Sequence, residues 1–362
     1  MNKIKVAIAG GGTAGHINPG LAVAKALQSL NSEVEVHFVG TAQGLETKIV
    51  PREGFPLHLL AGGKLNLSGR MTEKLKTLLS LPWGFLQAVI LNLKLKPDFV
   101  LGVGGYASGP FVLASRLMGS KTALWEPNAH PGKANIWLSY FVKRAFLVFE
   151  ESRHFLKCSE FSVCGMPIRP EVEQQRHLRT THENFQILHY GGSQGARFVG
   201  TVLSEAILKG GEWLTNTHVI HQTGAPDFES FKSKYQHLPQ QVEVRDFIFD
   251  MPEIYKKTDL AIVRGGASTL AEVAAFGLPT IVVPLPIADG HQVQNARVLA
   301  AAGAAVMIPQ AELTADRISQ EVLRLKRDPG LREELSKKIT HFFQPQAAQK
   351  IAQEILDAIA KV

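Results

Sequence analysis

Residues 4–20 read IKVAIAGGGTAGHINPG and indicate the fold class more directly than any other part of the chain. Lys5–Ala9 is a short apolar run typical of a buried strand, and Gly10–Gly15 supplies a tight turn. Pro19–Leu30 has the apolar spacing of a helix, with an asparagine at the N-cap and a proline at the first helical position. This order of strand, turn and helix predicts a parallel α/β sheet.

The same pattern recurs along the chain. Further strands are predicted at Glu35–Val39, Phe99–Val103, Phe185–Tyr190, His218–His221, Val242–Phe247, Leu260–Arg264 and Thr280–Pro284. Further helices are predicted at Phe198–Leu208, Thr269–Phe276 and His291–Ala302. Since the pattern restarts after the prolines at 167 and 170, we expect two Rossmann-like domains, 1–165 and 166–342. A final helix within 343–362 is expected to fold back on the first domain.

The bulk composition supports two globular domains without a membrane span. The chain has 362 residues, of which 45% are hydrophobic and 20% charged. Residues 1–165 hold 18 Lys and Arg against 10 Asp and Glu, so this half should face an anion such as phosphate, nucleic acid or an acidic membrane. Cys158 and Cys164 have neither redox nor zinc spacing. No apolar run suits a signal peptide or a spanning helix.

The first glycine turn indicates a site for phosphate. Glycines let the backbone approach an anion, and the following helix N-terminus offers N–H groups and partial positive charge. NAD binding would need an acidic residue at the end of the second strand, and Phe38–Thr41 has none, so a phosphate or pyrophosphate is favoured. A tight turn without a ligand is the alternative. His16 is either a general base or a polar cap.

Two later turns also admit two readings. Gly191–Arg197 contains G-x-S-x-G, which is typical of a hydrolase nucleophile, although Asp289 and His291 stand too close together for triad partners. A second phosphate-facing turn is favoured there. Arg264–Glu272 places glycines and hydroxyls at a helix start, which predicts another anion site. The alternative is that Thr269 and Glu272 only form a capping box.

Asp289–Gln292 follows a buried strand, where polar groups in open α/β sheets often bind a ligand such as a sugar. A plain surface loop is the alternative. The chain contains no D-x-D sequence and no acidic cluster with metal spacing. We therefore expect no metal cofactor, and we expect helix N-termini to neutralise any diphosphate.

The stretch 64–96 combines basic and apolar residues. Its apolar and aromatic groups lie between basic residues, a pattern typical of a membrane surface site. The candidates are Leu75, Leu79, Trp83, Phe85, Lys74 and Lys76. The alternative is an ordinary amphipathic helix with a solvated charged face. The basic excess of the first half favours an anionic membrane surface.

Four motifs in order resemble the MurG family of peptidoglycan glycosyltransferases; they are residues 11–20, 102–110, 191–197 and 264–272. The resemblance implies a GT-B fold, in which two Rossmann-like domains with parallel sheets face a central cleft. It implies an inverting transfer, without a tightly bound metal, of N-acetylglucosamine from UDP-N-acetylglucosamine to the 4-hydroxyl of MurNAc in undecaprenyl-linked lipid I, giving lipid II. It also implies a peripheral enzyme at the cytoplasmic face of a bacterial inner membrane.

The resemblance carries site roles onto matching positions. The donor would contact Thr13, Ala14, Gly15, Asn128, Arg169, Ser193, Ile248, Ala267, Ser268, Thr269, Leu270, Ala271, Glu272 and Gln292. The acceptor pyrophosphate would lie at Gly12, Gly104, Gly105 and Tyr106. His16, or else Glu126, would be the base. Cell-wall synthesis or division proteins would be partners, and nucleic acid would not. Trp125, Pro127 and Met166 depart from the family pattern.

Three other functions fit parts of the sequence. A sugar-nucleotide epimerase also pairs two such domains, but it would not need the basic, apolar stretch 64–96. A non-catalytic membrane-docking subunit would bind the sugar nucleotide without transfer. A hydrolase would depend on Ser193 and would need no UDP-sugar.

Overall fold

A computed structural model describes residues 3–361 apart from 62–70, 177, 179, 181–182, 193–194, 239 and 287–289, with the backbone alone at residues 14 and 71–81. The chain divides into two compact units. The first comprises Met1–Ile168 and Pro345–Val362, and the second comprises Arg169–Gln344. These limits lie within three residues of the boundaries expected from the sequence.

The first unit is built on a sheet of seven parallel strands. They are β1 (Ile4–Gly10), β2 (Val34–Thr41), β3 (Leu57–Leu60), β4 (Phe99–Gly104), β5 (Lys121–Glu126), β6 (Arg144–Leu147) and β7 (Glu160–Val163). Their spatial order is β3-β2-β1-β4-β5-β6-β7. The central strands β1 and β4 are nearly continuous apolar runs, as expected for strands of a parallel sheet that is covered by helices on both faces.

Helices connect these strands and cover the sheet. They are α1 (Ala14–Leu30), α2 (Glu46–Arg52), α3 (Met71–Leu95), α4 (Ser108–Leu117) and α5 (Lys133–Leu138). The last helix of the chain, Ala347–Ala360, also belongs to this unit and packs against α1. Lys121 Nζ donates to the carbonyl oxygen of Ala358 at 2.7 Å, so side-chain contacts as well as apolar packing hold this helix.

The second unit has six parallel strands and eight helices among its described residues. In chain order they are α6 (Pro170–Gln175), β8 (Phe185–Tyr190), α7 (Arg197–Lys209), β9 (Thr217–Gln222), α8 (Phe228–Lys234), β10 (Val242–Arg245), α9 (Met251–Lys257), β11 (Leu260–Val263), α10 (Ala267–Ala275), β12 (Thr280–Val282), α11 (His291–Ala301), β13 (Val306–Met307), α12 (Ala315–Arg327) and α13 (Pro329–Thr340). The helix Ala347–Ala360 is therefore α14. The strand order is β10-β9-β8-β11-β12-β13.

The predicted start of the first helix was wrong. The helix begins at Ala14, so Pro19 lies inside it. The N–H groups of His16 and Ile17 donate to the carbonyl of Thr13, which starts the helix directly at the glycine turn. The local sequence does not show this start, because the glycine turn is held by hydrogen bonds to residues of β4 and α2.

Candidate functional site

Two glycine turns meet at the carboxyl ends of β1 and β4, the point where the strand order of the first sheet reverses. Ligands of open α/β sheets bind at this edge. The N–H of Gly11 donates to the carbonyl of Gly104 at 3.1 Å. A Cβ atom on Gly105 would lie 2.5 Å from the Gly11 carbonyl oxygen, so only glycine fits there. The structure therefore brings Gly12, Gly104 and Gly105 together, beside the exposed Tyr106.

His16 stands at the junction of these two turns. Its Nδ1 lies 3.1 Å from the carbonyl oxygen of Gly11. A Cβ atom on Gly104 would lie 3.2 Å from its Nε2, which shows how closely the second turn approaches the ring. Thr13 and Gly15 are exposed beside it, and Ala14 is described only by its backbone. The ring thus borders the edge at which a ligand phosphate is expected.

Glu126 has surroundings quite unlike those of His16. It ends β5, is only 1% exposed, and accepts hydrogen bonds from Asn128 (N and Nδ2), the N–H of Gly132 and Asn135 Nδ2. Burial raises the pKa of Glu126, and these hydrogen bonds oppose the rise. Its oxygens hold the loop that carries Asn128, and an acceptor hydroxyl would have to displace those donors to reach them.

The second sheet repeats the arrangement at β8 and β11, which are neighbours at its switch point. Gly191 and Gly192 follow β8, and Gly265 and Gly266 follow β11. The helix α10 starts immediately after the second pair, and no side chain among the described residues caps it. Its backbone N–H groups and partial positive charge therefore lie where an anion would bind.

Six of the predicted donor contacts, residues 267–272, lie in α10. Ala267, Leu270 and Ala271 bury their side chains, whereas Ser268, Thr269 and Glu272 are partly exposed. The capping-box alternative was wrong. The helix starts at Ala267, so Glu272 lies in its second turn, too far along to cap it.

The Glu272 carboxylate belongs to a polar network. Arg169 donates to both of its oxygens at 3.3 Å, and the Tyr255 hydroxyl donates to Oε2 at 2.8 Å. A carboxylate only accepts, so the Tyr190 hydroxyl, 2.7 Å from that of Tyr255, must donate in turn. Burial, and then the charge of Glu272, raises the pKa of both tyrosines, which keeps them protonated. The network thus presents Glu272 as an oriented acceptor.

The remaining predicted donor residues lie in different elements of the structure. Gln292 Oε1 accepts from the N–H of Leu285 at 3.1 Å, in the loop after β12. Ile248 is buried in the loop after β10, while Asn128 belongs to the first unit. Ser193 lies outside the described residues, as does Asp289. No group of three or more His, Cys, Asp or Glu in the described part of the chain could hold a metal ion.

Sequence reasoning missed Glu46, Tyr190 and Tyr255, which contact the predicted residues from other elements. Glu46 accepts from the N–H of Gly12, and the two tyrosines hold Glu272. None of the three lies in a glycine motif. Only Glu46 has a local signal in the sequence, because it closely follows the second predicted strand and the glycines at 40 and 44.

Helix α3 carries an exposed apolar stripe. Trp83, Leu86, Ile90 and Leu93 recur at helical spacing and are 44–56% exposed. Phe85 instead packs partly against the core and does not belong to this stripe. The side chains of Lys74, Leu75, Lys76 and Leu79 lie outside the described residues. Among the described residues, no helix has both the length and the apolar character needed to span a membrane.

Comparisons with known proteins identify the family of the chain. Residues 6–147 match the glycosyltransferase family 28 N-terminal domain, and residues 186–355 match the C-terminal domain of the same family. The UDP-N-acetylglucosamine–N-acetylmuramyl-(pentapeptide) pyrophosphoryl-undecaprenol N-acetylglucosamine transferase of Bdellovibrio bacteriovorus is 50% identical over 98% of this chain and 99% of its own. The Myxococcus xanthus protein of that name is 41% identical over 99% and 94%.

A solved structure gives the same result. The crystal structure of Acinetobacter baumannii MurG covers 98% of this chain and 99% of its own, with a TM-score of 0.81 and 30% identity. The predicted class, two α/β domains each with a parallel sheet, is confirmed. The chain belongs to glycosyltransferase family 28 and, within it, to the MurG family.

Proposed function

We propose that this protein transfers N-acetylglucosamine from UDP-N-acetylglucosamine to the 4-hydroxyl of MurNAc in lipid I, giving lipid II. The observation that carries the proposal is the 50% identity, over nearly the whole chain, to a transferase named for this reaction. The glycine turns at both switch points supply the anion sites that a sugar diphosphate and a lipid pyrophosphate require.

The second unit would hold the donor. The start of α10, from Ala267 through Thr269, faces the diphosphate with its N–H groups, and Glu272 accepts from the ribose hydroxyls. Arg169 would add positive charge beside the diphosphate while it stays paired with Glu272. The remaining proposed donor contacts are Thr13, Ala14, Gly15, Asn128, Ser193, Ile248, Leu270, Ala271 and Gln292.

The first unit would hold the acceptor pyrophosphate at Gly12, Gly104, Gly105 and Tyr106, with His16 as the base. The hydrogen bond from Nδ1 to the Gly11 carbonyl requires a proton on Nδ1. In the neutral ring Nε2 then carries the lone pair, as a base requires. We favour His16 over Glu126 because the Glu126 carboxylate is buried and accepts from donors of its own loop.

The proposed reaction is a single displacement. His16 Nε2 takes the proton of the acceptor hydroxyl as its oxygen forms a bond to C1 of the sugar. The bond between C1 and the diphosphate oxygen breaks on the opposite face, which inverts the anomeric carbon. The N-terminus of α10 stabilises the negative charge that develops on the departing UDP.

Incubation with labelled UDP-N-acetylglucosamine and a lipid I analogue tests the activity. We expect label in the disaccharide lipid. Free labelled sugar would indicate a hydrolase, a changed sugar still on UDP an epimerase, and binding without turnover a docking subunit.

The role of His16 has its own test. His16→Ala should lower kcat about 10²–10⁴-fold, the usual contribution of a general base. His154→Ala, at an exposed position in the same unit, serves as the control and should leave kcat unchanged. Near-complete turnover by His16→Ala would exclude His16 as the base.

We further propose that the α3 stripe contacts an anionic membrane at the cytoplasmic face. The four exposed apolar side chains would enter the lipid interface, and Lys94 and Lys96 follow the stripe in sequence. Lys74, Leu75, Lys76 and Leu79 stand earlier in the same helix and would extend this surface. Each basic residue near anionic lipid contributes about 1 kcal/mol.

Vesicle flotation tests this surface. A variant with Leu86, Ile90 and Leu93 changed to Ser should lose most binding to anionic vesicles yet keep transfer to a water-soluble acceptor. Leu208→Ser, which changes an exposed leucine of the second unit, is the matched control. Equal flotation of both variants would place the membrane contact elsewhere.

A further inference from the structure

Glu46 is a buried carboxylate that the proposed mechanism does not use. It is the first residue of α2 and is only 1% exposed. Its Oε2 accepts from the N–H of Gly12 at 2.7 Å. Its Oε1 accepts from the N–H and the hydroxyl of Thr41, at 2.9 and 3.1 Å. The carboxylate therefore joins the end of β2 to the glycine turn after β1.

Three glycines make the space that this carboxylate occupies. A Cβ atom on Gly44 would lie 1.8 Å from Glu46 Oε2, and one on Gly11 would lie 2.4 Å from its Cδ. A Cβ atom on Gly40 would lie 2.6 Å from its Cγ. Any side chain at these positions would displace Glu46, so the backbone is shaped around the carboxylate.

Glu46 and His16 hold opposite ends of one peptide group. The peptide between Gly11 and Gly12 offers its N–H to Glu46 Oε2, while its carbonyl oxygen accepts from His16 Nδ1 at 3.1 Å. A carboxylate at the N–H end polarises the amide and makes its oxygen a stronger acceptor, because consecutive hydrogen bonds reinforce one another. The stronger acceptor favours the ring with its proton on Nδ1.

The second glycine turn packs against this peptide and fixes the one before it. Gly105 packs directly against the Gly11 carbonyl, and the N–H of Gly11, which belongs to the Gly10–Gly11 peptide, donates to the Gly104 carbonyl. The peptide therefore cannot rotate without breaking contacts to β4 and α2. A partner that orients a histidine and sets its tautomer commonly acts in this way, from behind the ring.

We propose that Glu46 is a positioning residue, which acts through the Gly11–Gly12 peptide to hold His16 as the Nδ1–H tautomer with Nε2 toward the acceptor hydroxyl. When Nε2 takes that proton, Nδ1 keeps its own, and the polarised carbonyl stabilises the resulting imidazolium. The proton then leaves to solvent. This inference rests on the proposed function, in which His16 is the base.

Glu46→Gln tests this positioning role. A carboxamide has one oxygen, yet the N–H groups of Gly12 and Thr41 bond different oxygens of Glu46, so one of them must lose its acceptor. We expect kcat to fall about 10–100-fold, as for other residues that orient a reactive group. KM for UDP-N-acetylglucosamine should stay within about twofold, since the proposed donor contacts near α10 are unchanged. Glu53→Gln, at an exposed carboxylate just after α2, should have no effect.

A double-mutant cycle separates positioning from a general structural role. In the His16→Ala background, Glu46→Gln should cause almost no further loss of kcat, because the group it positions is gone. Equal fold-losses in both backgrounds would overturn the proposal.

The nitrogen NMR spectrum of His16 tests the tautomer without any assay. In the wild type we expect a proton on Nδ1, and in Glu46→Gln a mixture of both tautomers. A wild-type proton on Nε2 alone would overturn the proposal even if Glu46→Gln did not fold. Absence of transfer by the wild type would instead refute the proposed function, and the spectrum would still decide how the ring is held.

Discussion

At the scale of single residues, Gly105 and Gly119 have similar positive φ angles but different surroundings. Their φ angles are +87° and +92°. A Cβ atom on Gly105 would lie 2.5 Å from the Gly11 carbonyl oxygen, whereas one on Gly119 would meet nothing within 4 Å. Both positions require glycine for the backbone, but only Gly105 also requires it for the close approach of two turns.

Alanine substitution separates these two effects. Gly119→Ala should cost about 1–2 kcal/mol of unfolding free energy, from the positive φ alone. Gly105→Ala adds a clash with backbone, so it should cost about 1–3 kcal/mol more and also reduce transfer. Urea unfolding of both variants measures the difference. Equal losses would mean that the two turns do not touch in solution.

Tyr255 offers a second residue-scale prediction, on donor binding. Tyr255→Phe removes a hydrogen bond to Glu272 and leaves the Tyr190 hydroxyl without its acceptor. If Glu272 accepts from the ribose, Kd for UDP should rise about tenfold, which corresponds to about 1.4 kcal/mol. Tyr235→Phe is the matched control, because it also removes a buried hydroxyl contact, here to His221. Calorimetric titration with UDP that gave equal Kd values for the two variants would contradict the prediction.

At the scale of elements, β8 and β9 place two histidines side by side in the core. His189 and His221 are paired in register and are fully buried. Burial lowers the pKa of His189 to about 4 and that of His221 well below its usual value. Between the lowered folded value and the ordinary value of 6.5, the unfolded chain binds protons that the folded chain does not. Stability is therefore complete above pH 6.5 and falls as the pH drops toward 4.

Acid unfolding measures this effect. His189 alone should lower the free energy of unfolding by about 2 kcal/mol between pH 7.5 and pH 5. His189→Leu should flatten that part of the pH profile, whereas His341→Gln, at an exposed position, should not. A profile that His189→Leu leaves unchanged would show that this histidine is not buried in its neutral form.

At the scale of the whole molecule, the two ends of the chain meet in one unit. α14 packs on α1, and its Glu354 lies 3.4 Å from Arg144 at the start of β6. Ile351 and Ile355 are completely buried in this helix. The first unit is therefore completed by residues that follow the entire second unit in sequence.

Ile351→Ala should cost about 2–5 kcal/mol, as for other large-to-small changes in a core. Native-state hydrogen exchange should show faster exchange in β1 to β7, with little change in β8 to β13, because α14 belongs to the first unit. Gln353→Ala, on the exposed face of the same helix, is the control. Faster exchange confined to the second sheet would contradict this division.

Local sequence patterns were sufficient for the fold class and for the glycine turns at the strand ends. The apolar residues of β1, followed by glycines and then by a helical pattern, indicate a turn at this position. This signal is local because strand and helix periodicity act over a few residues. For the same reason the glycine motifs at 10–15, 191–195 and 265–266 marked the strand ends that meet at the two switch points.

The partners of those motifs depended on distant parts of the chain. Glu46 reaches Gly12 across 34 residues, and Arg169 reaches Glu272 across 103. The early start of α1 and the inward position of Phe85 likewise follow from packing against other elements. Hydrogen bonds and close packing between remote residues leave no periodic signal in the sequence. Only the tertiary structure therefore decided which side chain holds each site residue.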